Sequence, residues 1–242
     1  MKKIMIIGGT DSSGGAGLTR DTSTARSLGF DVMPVVTAVT AQTNARVRGA
    51  KVMPADFVAM QIEAALAADD PAAIKIGMLG TGEIAKTVAR AISDLSIPVV
   101  IDPVLKSSSG GQLMSGQLPR QLLSRACLVT PNLPEAAALA DRPMAATDDQ
   151  IAAQAEWFLA EGARAVLIKG GHAKGDTAID HLFEPFGKHV FRAPRLETSM
   201  RGTGCALATA IACALAEGRD LPLACQQAKA FVHGKLCQAS RY

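Results

Sequence analysis

The chain has 242 residues, 48% of them hydrophobic and only 4% aromatic, which is enough to bury a substantial core. Its formal net charge of +3 includes no basic block and no acidic tail, so it argues neither for nucleic acid nor for a membrane surface, and neither is expected as a partner. The five cysteines form no Cys-x-x-Cys pair and are odd in number, so reduced thiols in a cytoplasmic protein are expected.

In chain order, Ile4–Ile7 reads as a first buried strand. This apolar run is too short for the core of a signal peptide, and no later run approaches membrane-spanning length. A loop with five glycines follows, from Gly8 to Gly17, and a helix is expected from Leu18 to Leu28, stopped by Gly29. This opening also fits the start of a dinucleotide-binding fold. The spacing is not G-x-G-x-x-G, however, and no acidic residue closes a second strand at the expected distance.

Val32–Thr40 is β-branched and reads as a strand leading into Ala41-Gln42. A helix is expected from Met53 to Ala68, a strand at Ala73–Gly77, a helix at Glu83–Leu95 and a continuous apolar strand at Ile97–Ile101. Asp102-Pro103-Val104 ends that strand, and the serine- and glycine-rich stretch Leu105–Gly111 has the composition of a mobile flap. Cys127–Val129 is a short strand delivering Thr130-Pro131-Asn132-Leu133-Pro134-Glu135. A helix at Asp148–Ala160 and a strand at Ala165–Ile168 lead to Lys169-Gly170-Gly171-His172. Thr177–Ala193 alternates like two antiparallel edge strands, and helices after Gly202 and from Leu221 to Leu236 close the chain.

Strands alternating with helices predict a doubly wound, mainly parallel α/β sheet with helices on both faces, in one domain spanning residues 1–242. Gly9, Gln42, Met78, Asp102, Asn132 and Lys169 all fall just beyond the C-terminal end of a strand, where open α/β sheets form their ligand crevice. Arg201-Gly202-Thr203-Gly204-Cys205 adds a glycine turn that opens a helix. Its unpaired amides at the positive end of the dipole suit a phosphate or a developing oxyanion. Cys205 falls on the first helical turn, where a thiol's pKa tends to drop. A packed cysteine behind a glycine-relieved helix start is the alternative.

Ser13–Gly17, Lys75-Ile76-Gly77-Met78-Leu79, Asp102-Pro103-Val104, Thr130–Ala136, Lys169–His172 and Gly202–Cys205 occur together in one order. In that arrangement the chain resembles the bacterial hydroxymethylpyrimidine/phosphomethylpyrimidine kinases of thiamine biosynthesis, members of the ribokinase-like superfamily. The resemblance covers nearly the whole chain. It implies a ribokinase-like fold and transfer of phosphate from ATP, with magnesium, to 4-amino-5-hydroxymethyl-2-methylpyrimidine. In many members the monophosphate is then phosphorylated in turn. A homodimer is also implied.

The resemblance assigns Gly9, Asp21, Gln42, Met78 and Val104 to the pyrimidine. The Gln42 amide offers a donor and an acceptor side by side to an aminopyrimidine edge, although a solvated loop glutamine fits the sequence too. Asp21 could equally be a surface charge on its helix, and Met78 and Val104 could be ordinary core. Asn132 and Glu135, at N-x-x-E spacing, resemble the superfamily's magnesium-organising motif, joined by Asp102 and acting partly through water. A helix N-cap competes for the same pair. Lys169 would neutralise phosphate charge, Gly202, Thr203 and Gly204 would present amides to the transferring group, and Cys205 is the candidate base. Two departures stand out. Arg201 replaces the histidine usual before Gly-Thr-Gly-Cys, and Thr19-Arg20 replaces a glutamine–alanine pair. The competing functions are a pyridoxal kinase of the same superfamily and a non-catalytic pyrimidine sensor.

Overall fold

A computed structural model of the protein describes residues 1–105, 111, 113–115, 117–171, 175–198 and 200–240. Most of the Leu105–Gly111 flap expected from sequence, and His172, lie outside the described residues. The chain begins with β1 (Lys3–Asp11), α1 (Gly17–Ser27), β2 (Asp31–Gln42), β3 (Val47–Val52), α2 (Ala55–Ala68) and β4 (Ala73–Ile76). It continues through β5 (Gly80–Thr81), α3 (Gly82–Ala91), β6 (Val99–Ile101), β7 (Met114–Ser115), α4 (Arg120–Leu123), β8 (Leu128–Val129) and α5 (Leu133–Leu139). It ends with α6 (Asp148–Ala160), β9 (Val166–Lys169), β10 (Thr177–Glu184), β11 (Gly187–Pro194), α7 (Thr203–Ala216) and α8 (Leu221–Ala239).

The main sheet has the order β11-β10-β9-β8-β6-β4-β1-β2-β3. From β2 to β9 the neighbours are parallel, and antiparallel strands close both edges. Alternate residues of β1 supply the two cores. Met5 and Ile7 pack with residues of α2, α3, α5 and α6, while Ile4 and Ile6 pack with those of α1, α7 and α8. A sheet covered on both faces explains why its central strands are apolar without interruption.

The helices start where their caps place them. Thr81, Thr147 and Asp220 accept the N3 amides of α3, α6 and α8 through their side chains. The antiparallel strand β3 was not foreseen from sequence: at the sheet edge it buries neither face, so Val47–Val52 shows no alternation of apolar residues. Among the described residues, no helix is long and apolar enough to cross a membrane.

After β1 the chain goes outward to β2 and β3, then returns past β1 to start β4 on the other side. The strand order therefore reverses between β1 and β4, which is where a doubly wound sheet opens a crevice at its carboxyl edge. The C-terminal ends of β1, β2, β4, β6, β8 and β9 all reach that edge.

Candidate active site

A cleft of about 1010 Å³ lies along this edge, and Gly9, Asp21, Gln42, Met78, Asp102, Val104, Asn132, Glu135, Lys169 and the Gly202–Cys205 turn all contribute to its wall. All thirteen residues singled out from the sequence thus meet in one cavity.

Its first half sits at the switch point. The β2–β3 pairing slips at Ala41/Gln42, and a bulge of this kind re-aims a side chain out of the ladder. Gln42 is buried, its backbone is tied to the Ser12 hydroxyl at 2.8 Å, and Thr40 Oγ1 donates to its Oε1 at 3.3 Å. It is no solvated loop residue. Met78, also buried, follows β4, and Thr37 Oγ1 donates to its carbonyl at 2.5 Å. A Cβ at position 9 would stand 2.8 Å from the Met78 sulfur, so the bare Gly9 backbone gives this side chain its place in the wall. Val104, half-buried, follows β6.

Asp21 is not a surface charge. Its carboxylate is buried, accepting from Lys75 Nζ at 2.7 Å and from the Thr209 hydroxyl of α7 at 2.8 Å. Lys75 is itself only 1% exposed, and Gly77 makes room for it, since a Cβ there would lie 2.8 Å from Nζ. Burial opposes the Lys75 charge, but Asp21, aided by Cys205 and Asp102, holds its pKa above the usual lysine value. The sequence reading assigned Lys75 no role. The signal was available: a lysine in the middle of Ala-Ile-Lys-Ile, on a strand buried on both faces, requires a buried counter-charge.

The second half of the cleft is built for anions. Gly202 is the N-cap of α7, with a φ of 74° in the left-handed region, and among the described residues no side chain caps its first turn. A Cβ at Gly202 would stand 2.4 Å from the Gly15 carbonyl oxygen, so only glycine lets this turn pack on the β1–α1 loop. Facing the turn, Lys169 Nζ donates to Asp102 Oδ1 at 2.7 Å. A Cβ on Gly204 would lie 3.2 Å from Lys169 Nζ and 3.7 Å from Asp102 Oδ2. The missing side chain leaves a small hollow bordered by helix amides, an ammonium and a carboxylate. Burial works against the Lys169 charge, but Asp102 and Glu135 outweigh it and raise its pKa; Lys169 and Lys75 in turn outweigh burial to lower that of Asp102.

Asn132 and Glu135 form a complete capping box for α5. Asn132 Oδ1 accepts from the Glu135 amide and Glu135 Oε2 from the Asn132 amide, each at 2.8 Å. The cap reading of this pair is therefore realised, and it fixes the Glu135 carboxylate at the cleft wall. Burial lifts that carboxyl to about 7 against the pull of Lys169, and Asp102 adds to the rise. Among the described residues, no three acidic, histidine or cysteine side chains form a ready metal cage. What the site offers is two hard oxygen donors, Asp102 beside the Gly204 hollow and Glu135 in the same cleft wall. That donor set fits magnesium held largely by water and phosphate oxygens.

Cys205 departs from the sequence expectation. It does sit on the first turn of α7, but burial pushes its thiol up to about 11, and Asp21 adds to the rise while Lys75 and the Gly17 amide oppose it. Loss of hydration outweighs the helix dipole, so the resting residue is a neutral thiol. Arg201, just before the turn, engages the end of β1, the loop after it and the turn between β2 and β3. Its guanidinium pairs with Asp11 at 3.0 Å and bonds to Ser13, Thr43 and Asn44.

Similarity to known proteins agrees with this geometry. The profile of the family described as phosphomethylpyrimidine kinase matches residues 11–242. A hydroxymethylpyrimidine/phosphomethylpyrimidine kinase of Rhizobium meliloti is 39% identical over 98% of this chain and 91% of its own length. The protein of that name from Escherichia coli is 38% identical over 99% and 93%. Among solved structures, a phosphomethylpyrimidine kinase from Clostridium difficile superposes with a TM-score of 0.82 at 30% identity, covering 97% of this chain and 99% of that one. The pyridoxal kinase of Staphylococcus aureus in complex with AMP-PCP and pyridoxal gives 0.87 at 30% identity, covering 98% and 88%. By sequence over its whole length and by fold, the chain belongs to the phosphomethylpyrimidine kinase family.

Proposed function

We propose that this protein transfers the γ-phosphate of ATP to the hydroxymethyl group of 4-amino-5-hydroxymethyl-2-methylpyrimidine, and then phosphorylates the monophosphate, as a cytoplasmic enzyme of thiamine biosynthesis. The observation that carries the reading is the meeting, in one cleft, of a ring-sized half made by Gln42, Met78 and Val104 with the anion-binding half around Gly204 and Lys169. Gln42 would read the polar edge of the ring and the two apolar side chains its faces, with Gly9 beneath. Asp21 would act from below, through Lys75 and Thr209, because both of its oxygens already accept bonds.

On the phosphate side, the amides of Thr203 and Gly204 and the Lys169 ammonium would hold the charge of the transferring group. Asp102, Asn132 and Glu135 would hold magnesium, Asn132 by fixing Glu135 in its cap, and the metal would supply charge neutralisation to the phosphates. The hydroxyl proton passes to Cys205 Sγ while the hydroxyl oxygen bonds to phosphorus and the bond to the departing ADP breaks. Burial keeps Cys205 protonated near neutral pH, so only a small thiolate fraction accepts that proton, and turnover should climb with pH. A single domain and a homodimer complete the proposal, and the exposed Phe57 and Met60 of α2 offer apolar surface for a dimer contact.

A pyridoxal kinase is the second reading, favoured by the TM-score of 0.87 to one. The test is a product assay with ATP, magnesium and either hydroxymethylpyrimidine or pyridoxal, resolving mono- from diphosphate. Formation of pyridoxal phosphate with no pyrimidine product would overturn the first reading in favour of the second. No transfer to either acceptor would leave a binding protein.

A further inference from the structure

Three segments that form the rim of the cleft meet on one side chain. Arg201, immediately before the Gly202 turn, pairs through Nη2 with Asp11 Oδ2 at 3.0 Å. Its Nη1 donates to Ser13 Oγ at 2.6 Å, to the Thr43 carbonyl at 3.2 Å and to Asn44 Oδ1 at 3.3 Å. Asp11 is the last residue of β1 and Ser13 lies in the loop after it, and Asp11 Oδ1 in turn accepts from the Ser13 amide and hydroxyl at 2.9 and 2.7 Å. Thr43 and Asn44 form the tip between β2 and β3, closed by a bond from the Thr43 amide to the Arg46 carbonyl at 2.9 Å. Gln42 is the residue just before that tip, and Ser12 holds its backbone.

We propose that Arg201 is a positioning residue that couples the two halves of the cleft, so that nucleotide on the Gly202–Gly204 turn orders the β2–β3 tip beside Gln42. The geometry suits the task. A planar guanidinium can hold a carboxylate with one nitrogen and a carbonyl, an amide oxygen and a hydroxyl with another. The Gly202 turn packs on the same loop, at the Gly15 carbonyl, and Arg201 precedes it directly, so a shift of the turn moves Arg201 and with it the tip. Coupling between binding sites is reciprocal: if nucleotide orders the tip, a ring ligand that orders the tip must tighten nucleotide binding by the same factor. This inference rests on the functional reading for the nucleotide at the Gly202 turn and for what occupies the ring half.

The experiment uses a non-hydrolysable ATP analogue with magnesium as the probe, and hydrogen exchange of the Thr43–Val47 amides as the readout, in the whole chain. In the wild type, saturating analogue should slow exchange at the tip by about fivefold or more, the lower end of ordinary coupling between sites. Arg201→Met should bring the slowing below about twofold while the analogue still binds. Arg201→Lys keeps a cation for Asp11 but cannot also span to Thr43 and Asn44, so it should lose the tip response as well. It decides the matter if the methionine variant, with Asp11 left unpaired, does not fold. Wild-type slowing that survives Arg201→Lys, or a wild-type tip indifferent to the analogue when calorimetry shows it bound, overturns the proposal. The two readings fail separately. A protein that does not phosphorylate the pyrimidine yet relays analogue binding through Arg201 refutes the substrate and keeps the coupling, and the converse result does the reverse.

Discussion

Gly204→Ala separates the stability of α7 from its use. Gly204 is the second residue of the helix and is absent from the positive-φ glycines, so alanine is compatible with its backbone. In a helix, alanine is better than glycine by up to about 1 kcal/mol. The new methyl would come 3.2 Å from Lys169 Nζ, the movable end of a flexible side chain, and 3.7 Å from Asp102 Oδ2, so the fold can absorb it. Thermal unfolding should therefore stay level or rise by a few degrees, since about 1 kcal/mol corresponds to roughly 2–4 °C in a chain of this size. Binding should respond in the opposite sense. The methyl fills the hollow that a phosphate oxygen would enter and costs one charge-assisted hydrogen bond, about 1.5–3 kcal/mol, or roughly ten- to 150-fold in affinity. Calorimetric titration with a non-hydrolysable ATP analogue measures this directly. Gly202→Ala is the contrast: its φ of 74° and its 2.4 Å approach to the Gly15 carbonyl should cost at least 1–2 kcal/mol of stability, on the order of the left-handed penalty alone. If Gly204→Ala binds the analogue as tightly as the wild type, the hollow is not the phosphate site.

Cys205→Ala should leave analogue binding intact and slow single-turnover transfer by about a hundredfold, the low end of general-base assistance, because a loose phosphoryl-transfer transition state needs little early deprotonation. With a wild-type thiol near 11, the transfer rate should rise up to roughly tenfold per pH unit between about pH 7 and 8.5; a flat profile would remove Cys205 as the base. Gln42→Leu should weaken pyrimidine binding by about 1–3 kcal/mol without changing nucleotide affinity, and equal binding in the mutant would show that something else reads the ring. Folding stability should fall in alkali. Burial raises Cys127 and Cys205 to about 11 and Cys213 to about 12 in the folded chain, above the ordinary 9.0. The unfolded thiols then ionise first, so the stabilisation is complete below pH 9 and disappears as pH rises from 9 toward 11–12. Denaturant midpoints that do not change from pH 8 to 10.5 would contradict this.

What the sequence revealed most clearly was whatever buries an uninterrupted apolar run or breaks one. The central strands declared themselves by such runs, and their ends named the cleft, because polar residues directly after a parallel strand have few other places to go. The helix Asp148–Ala160 was expected to the residue, framed by Thr147 and the turn at Gly162. Features that depend on partners distant in sequence stayed hidden. Arg201 lies 188 residues from Ser13 and 158 from Thr43, and nothing local to any of them suggests the others. The thiol of Cys205 was misjudged for the same reason. Its position on the first helical turn is local, whereas the burial that governs it comes from the packed sheet. The Asn132–Glu135 spacing, in contrast, is a local signal with two meanings, and the cap and the cleft carboxylate turned out to be the same arrangement.

The Lys75–Asp21 pair limits how this sequence can change by single steps. Losing either member strands an uncompensated charge in the interior, a loss of about 3–5 kcal/mol, which is a large part of the 5–15 kcal/mol that holds a typical domain folded. Replacing both at once with apolar residues of similar volume can be close to neutral. The two positions are 54 residues apart, so one mutation rarely reaches both. A lineage starting from this chain therefore faces a barrier between two acceptable states, and a library of single substitutions would record both sites as immutable when it is only their combination that is fixed.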